Sequence, residues 1–280
     1  LPVLHQHVQH YRLYSSNNFI TGKGPQNINI GMERSVRREL SHPEDADIPG
    51  LYLGLNSYTY GLKYNFPDWN GLDITLGANV MYQTNNTSKA TEFIIPSYHQ
   101  FDVGPFLLLK KTFNKLDISG GVRYDNRSFH NFALFTTTDP ITGFDKLATG
   151  ADTAGANQVF HDFKHTFSGV TGSLGMTYNF NDRLSLKANI ARGFRAPNIS
   201  EISANGVHPG TNIYQIGNPD FKPEFSLEED LGLAYASNHV SFSVDVFNND
   251  IQNYIYNQKV LNNNGQDSVI VPGNETFQFQ

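Results

Sequence analysis

From residue 184 the chain alternates between apolar and polar positions. Leu184, Leu186, Ala188 and Ile190 fall on one side, and Ser185, Lys187 and Asn189 on the other. A period of two marks a strand with one apolar and one wet face. The same period returns at Leu72, Ile74, Leu76, Ala78 and Val80, opposed by Asp73, Thr75, Gly77 and Asn79. It appears again at Leu227, Leu231, Leu233 and Tyr235, and at Val240, Phe242, Val244 and Val246. The pattern predicts strands over 3–14, 27–40, 51–64, 72–83, 99–112, 116–124 and 163–180, and from 184, 227 and 240 onward. A Gly/Asn/Pro segment at 17–26 reads as the first link, and 126–162 as the longest irregular stretch. The last residues, PGNETFQFQ, read as the start of a further strand.

The connections carry information of their own. Short links at 65–71, 113–115, 181–182 and 237–239 alternate with long ones at 41–50, 84–97, 126–162 and 196–223. The last of these holds Pro209-Gly210 and Asn218-Pro219. Such a meander has two unlike ends, as outer-membrane barrels do with short periplasmic turns and long extracellular loops. Aromatic residues stand beside the short links: Tyr64, Phe66, Trp69, Phe113, Tyr178, Phe180 and Tyr235. An interfacial girdle places rings there, although the pinning of hairpin ends in a soluble sheet would as well.

Composition narrows the choice. The 280 residues include 21 Phe, 14 Tyr and 24 Gly, which favours an all-β chain. Charged residues are 16%, below the usual share of roughly a quarter for soluble domains. The net charge of −6 argues against a general nucleic-acid surface. With no cysteine, disulfide scaffolds, zinc-thiolate sites and cysteine nucleophiles are excluded. No run of about 18 apolar residues occurs, so no transmembrane helix is expected. A mean hydropathy of −0.41 suits a barrel, in which half of each strand faces a polar lumen.

Two linked motifs carry a resemblance. ARGFRAPNISEI (191–202) followed by GNPDFKPE (217–224) resembles a late barrel segment of TonB-dependent outer-membrane receptors. Phe221 stands where that family usually has Leu, and Gln215 where it often has an acid. MYQTN (81–85), IIPSY (94–98) and GGVRYDNR (120–127) extend the likeness over most of the chain. The resemblance implies an all-β, antiparallel transmembrane barrel, here partial, with roughly ten or eleven strands of a larger one. It implies that 1–280 is part of one barrel domain, with signal peptide, plug domain and final strands absent. It further implies TonB-energised uptake of a scarce nutrient (a ferric chelate, cobalamin, a metal or an oligosaccharide) across the outer membrane of a Gram-negative bacterium. The partners would be a plug domain of the same protein, the TonB complex acting through the N-terminal region, a small nutrient ligand and the lipid bilayer. Two other readings remain: a passive porin-like or adhesin barrel, and a soluble β-sheet module binding carbohydrate.

Candidate chemistry is sparse. His5 and His7 share a strand face about 7 Å apart while His10 falls opposite, which is poor for zinc and fits a solvated strand. His161 and His165 are not on a predicted helix, and Gly169-Val170-Thr171-Gly172 lacks the Lys of a phosphate loop. Neither Asp125 nor Asp139 has a defined acid/base partner, and Ser173 lacks a nucleophile elbow. No enzymatic activity, cofactor or metal is therefore expected. Candidates for ligand contact are Arg192, Arg195, His208 and Tyr214 on the long loop at the outer mouth. Arg fork-bonds carboxylates, and Tyr stacks or hydrogen-bonds. Ser185, Lys187 and Asn189 are expected to line the lumen.

Overall fold

The computed structural model describes residues 4–21, 24–208, 211 and 213–280. Six long strands open the chain: β1 (His5–Thr21), β2 (Gly24–Leu40), β3 (Leu51–Asn65), β4 (Leu72–Asn86), β5 (Tyr98–Phe113) and β6 (Leu116–Asn131). Three short strands follow, β7 (Leu134–Thr138), β8 (Asp145–Ala148) and β9 (Asn157–Phe160). Next come β10 (Phe163–Asn181), β11 (Leu184–Arg195), the helical turn α1 (Ile199–Ser203), β12 (Asn205–His208) and β13 (Ile213–Ile216). The chain closes with β14 (Glu224–Ala236), β15 (Ser241–Gln252), β16 (Asn257–Lys259) and β17 (Glu275–Phe279).

Ten strands form one antiparallel sheet in the order β1-β2-β3-β4-β5-β6-β10-β11-β14-β15. Sequential neighbours pair throughout, so the wall is a simple meander with all its short turns at one end. The turn into β4 is an Asn70-Gly71 pair with φ of 53° and 72°, closed by a Trp69–Leu72 bridge. That backbone is the tight hairpin turn that Asn-Gly favours. Asn114, with φ of 50°, serves the turn between β5 and β6.

The expected strands are found, several of them longer than the apolar alternation indicates. Three expectations are corrected. The described residues of the 17–26 segment are strand and not loop: β1 runs to Thr21 and β2 starts at Gly24, pairing through Asn18–Asn27 and Ile20–Pro25. Polar Asn side chains are tolerated there because both faces of the edge strand β1 are largely exposed. The 126–162 stretch is not irregular either. Its first residues extend β6, and β7, β8 and β9 form a separate three-stranded sheet. Lastly, Glu275–Phe279 does not continue the wall, because β17 pairs in parallel with β13 and antiparallel with β16. Residue 3 of the first expected strand, and Pro209-Gly210, lie outside the described residues.

The wall has two unlike faces. Residues from β2 through β11 line one groove, so the sheet curls with its polar side concave. On the other side Ile30, Leu76, Leu174, Leu231, Val244 and Val246 stand 49–66% exposed. A soluble sheet of this size would bury such a row. The buried core is confined instead to the long-loop end. There Leu51, Tyr98, Phe129 and Phe167 from strand ends pack against Ile94, Ile95, Ala196, Ile199 and Ile202 from the loops. A second cluster joins Val36 and Tyr52 to Ala90, Phe93, Leu134 and Phe160. At the opposite end the expected rings cluster: Tyr64 with Phe66, Tyr178 with Phe180 and Tyr235 with Phe242 lie 4.7–5.5 Å apart between centroids.

Candidate functional site

The concave face and its mouth form an extended polar surface carried by the paired strands of the wall. Its middle holds a groove of about 780 Å³ that includes Asn29, Thr59, Asn79, Thr171 and two ion pairs. Arg127 grips Asp102 with two nitrogens, Nη2 at 2.7 Å and Nε at 3.0 Å. Gln100 donates to the same carboxylate at 3.0 and 3.1 Å. Arg123 donates from Nε to Asp125 at 2.6 Å and from Nη1 to Asn79 at 2.9 Å. Gly104 makes this possible: a Cβ there would lie 2.0 Å from Arg123 Nη2. Arg123 and Arg127 thus each have an acid beside them, and this part of the wall presents paired charge rather than a field of one sign.

At the mouth the two resemblance motifs meet. Pairing of β11 with β14 brings Arg195 opposite Glu224. The Arg195 guanidinium bonds Glu224 through Nε and Glu201 through Nη1, the latter at 2.8 and 3.0 Å. Glu201 also completes a capping box with Asn198, which starts α1. Glu224 additionally accepts the Ile255 amide at 2.6 Å, which ties down the chain after β15. Gly217 and Asn218 return beneath α1, their amides donating at 2.7 Å to the carbonyls of Ala204 and Glu201. A Cβ at Gly217 would lie 2.4 Å from the Ser203 nitrogen, so a side chain there has no room. The GNP motif is therefore the seat of α1.

The expected ligand residues are distributed over two sheets. Arg192 and Arg195 are on β11 itself, whereas His208 ends β12 and Tyr214 lies in β13. Arg192 donates from Nη1 to the Val170 carbonyl and lies over the Phe225 ring, 4.0 Å from its centroid. The Tyr214 hydroxyl donates to Asn205 at 2.8 Å, and burial pushes its pKa upward. The His208 carbonyl accepts the Thr211 amide at 3.2 Å. Ser185, Lys187 and Asn189 share a strand face, where Asn189 donates to Asp230 at 3.2 Å. Lys187 Cβ lies 4.0 Å from where a Gly232 Cβ would stand. Sequence reasoning missed Asp102, Arg123, Arg127, Glu201 and Glu224. Arg123, Asp125 and Arg127 were findable, because they recur at every second residue of GGVRYDNR and so share a face.

An antiparallel meander with an apolar outer belt, a polar hollow face and loops gathered at one end defines a transmembrane barrel wall. Residues 6–280 match the family model described as TonB dependent receptor-like, beta-barrel, and the chain belongs to that family. Among curated relatives, it is 32% identical over 106 residues to "Probable TonB-dependent siderophore receptor PirA" of Acinetobacter baumannii, covering 34% of this chain and 14% of that one. It is 31% identical over 238 residues to "Hemoglobin and hemoglobin-haptoglobin-binding protein B" of Haemophilus influenzae, covering 81% of this chain and 21% of that one. Among solved structures, a mutant ferric enterobactin receptor of Pseudomonas aeruginosa superposes with a TM-score of 0.67 at 15% identity, over 98% of this chain and 39% of that one. The chain thus spans well under half the length of each of these three proteins. At that identity the structural likeness is one of fold.

Proposed function

We propose that this chain forms part of the wall and mouth of an outer-membrane receptor that imports an iron-bearing nutrient by TonB-energised transport in a Gram-negative bacterium. The observation that carries the reading is the wall itself: apolar outside, polar and charge-paired inside, with a structured mouth at one end only. The relatives named for siderophore and haemoglobin binding favour iron, either as a ferric chelate or as haem. In this reading the chain does no covalent chemistry. The lipid bilayer meets the outer belt, a plug domain of the same protein fills the hollow side, and the TonB complex acts through the N-terminal region. Arg192, Arg195, His208 and Tyr214 shape the mouth, while Ser185, Lys187 and Asn189 face the plug.

Uptake assays test this. Cells carrying the gene as their sole iron receptor are given radioiron as a ferric catecholate or as haem, with and without a working TonB complex. The account predicts saturable uptake of one of them, lost when energisation is removed. Uptake that is linear in concentration and indifferent to TonB would make the protein a passive channel.

A further inference from the structure

The outer face carries a furrow between the ridges of β5 and β10. Its floor is Gly120 of β6, which pairs with Leu109 on one side and Leu174 on the other. With no side chain at Gly120, those two leucines stand as walls and remain 39% and 58% exposed. Leu107 extends the first wall upward, and Ile118 lies on the floor below Gly120. The hollow measures about 510 Å³, and its lining is apolar except at the short-turn end. Three strands or more separate it from either edge of the sheet, so its shape does not depend on what pairs there.

At the short-turn end stands Lys111, on the same strand face as Leu107, Leu109 and Phe113. Alternation puts uncharged residues at every remaining outward position of β4, β5, β6 and β10 up to Tyr82, Phe101, Tyr124 and Val170. Among the described residues Lys111 is therefore the single charge on this part of the outer belt. Its ammonium lies 5.2 Å from the Phe113 ring centroid, and no acid pairs with it among the described residues. The acids nearest in register face the lumen: Asp73 stands opposite Lys110, and Asp117 accepts the Thr112 hydroxyl. A lipid-facing lysine keeps its charge by reaching the headgroup layer while its stem covers apolar surface. The ammonium then needs an anion, and this face of the wall offers none.

Length selects the occupant. From Phe113 to Leu107 is about 20 Å along the strand. A barrel tilt of about 40° reduces that to about 15 Å of depth, one leaflet of a hydrocarbon core roughly 30 Å thick. We propose that the furrow binds one anionic glycerophospholipid from the leaflet at the short-turn end. One acyl chain lies over Gly120 between the leucine walls, and the headgroup phosphate sits on Lys111 beside the Phe113 ring. The short turns of such a barrel are periplasmic, so this is a lipid of the periplasmic leaflet. The site rests on the wall being a membrane barrel, and its test separates the two.

The full chain purified in micelles is titrated with dioleoyl phosphatidylglycerol, and bound lipid is counted by native mass spectrometry. Phosphatidylcholine with the same acyl chains is the control for headgroup charge. One saturable phosphatidylglycerol site is expected, which Lys111→Gln weakens about fivefold with little effect on phosphatidylcholine. Lys110→Gln, one residue away on the lumen face, should leave both lipids unchanged. Leu174→Ala lowers one wall and is expected to weaken both lipids about threefold. Equal binding of the two lipids by the parent protein overturns the proposal, and so does an equal effect of Lys110→Gln. Binding indifferent to Lys111→Gln or to Leu174→Ala overturns it as well. A protein that needs micelles to fold yet shows none of these effects loses the lipid site and keeps the membrane wall, whereas one folded in plain buffer loses both.

Discussion

Arg195 illustrates how much of the mouth depends on one side chain. Glu201 and Glu224 are both buried at 10% exposure or less, and the same guanidinium neutralises them. Removing it leaves two desolvated carboxylates with no counter-charge, which costs far more than losing a surface pair. Arg195→Ala is expected to destabilise the mouth by about 3 kcal/mol, at the lower end for a broken buried pair because Arg195 is itself partly exposed. In micelles this should appear as faster proteolysis within 196–223 while the wall strands stay protected. Uniform behaviour of mouth and wall would contradict the clamp. The Arg at 195 was legible in the sequence as a cation near the mouth. Its partners were not, since pairing Arg195 with Glu224 needs the β11–β14 register and pairing it with Glu201 needs the α1 turn.

At the scale of elements, the wall strands were the legible part. Alternation of period two is written locally, and Asn-Gly at 70–71 marks its turn without reference to anything distant. The sheet of β7, β8 and β9 was hidden because its strands are four or five residues long, too short to show a period. β17 was legible as a strand, but its place outside the wall was hidden for another reason. Its partner β13 is some sixty residues earlier and parallel to it, a pairing that no local pattern announces. The seating of α1 makes a prediction at this scale. Gly217→Ala would drive a methyl group against the backbone of Ile202, Ser203 and Ala204, where no flexible side chain can yield. A loss of about 2 kcal/mol is expected, within the range for overpacking. It should be read as increased hydrogen exchange over 199–204 with the β3–β4 and β4–β5 ladders unchanged. Exchange over 199–204 no faster than in the parent protein would show that α1 does not rest on Gly217.

For the whole molecule, the decisive property is where the apolar surface lies. The buried clusters sit among the loops at one end, and along most of the wall the aliphatic rows look outward. With the polar face lining a hollow, those rows need a nonaqueous partner, and a bilayer supplies one for every strand at once. The ten strands run 12–19 residues, longer than the roughly 9–11 that cross a hydrocarbon core. The excess raises the mouth into water, where its clamps and small sheets are built.

The central claim is tested most directly by circular dichroism of the size-excluded protein with and without detergent micelles. The account predicts strong β signal and a single monodisperse peak only in micelles, with aggregation or loss of β-structure in plain buffer. A monodisperse, β-rich protein in plain buffer would place the aliphatic rows in an interior core, and the membrane wall would have to be abandoned.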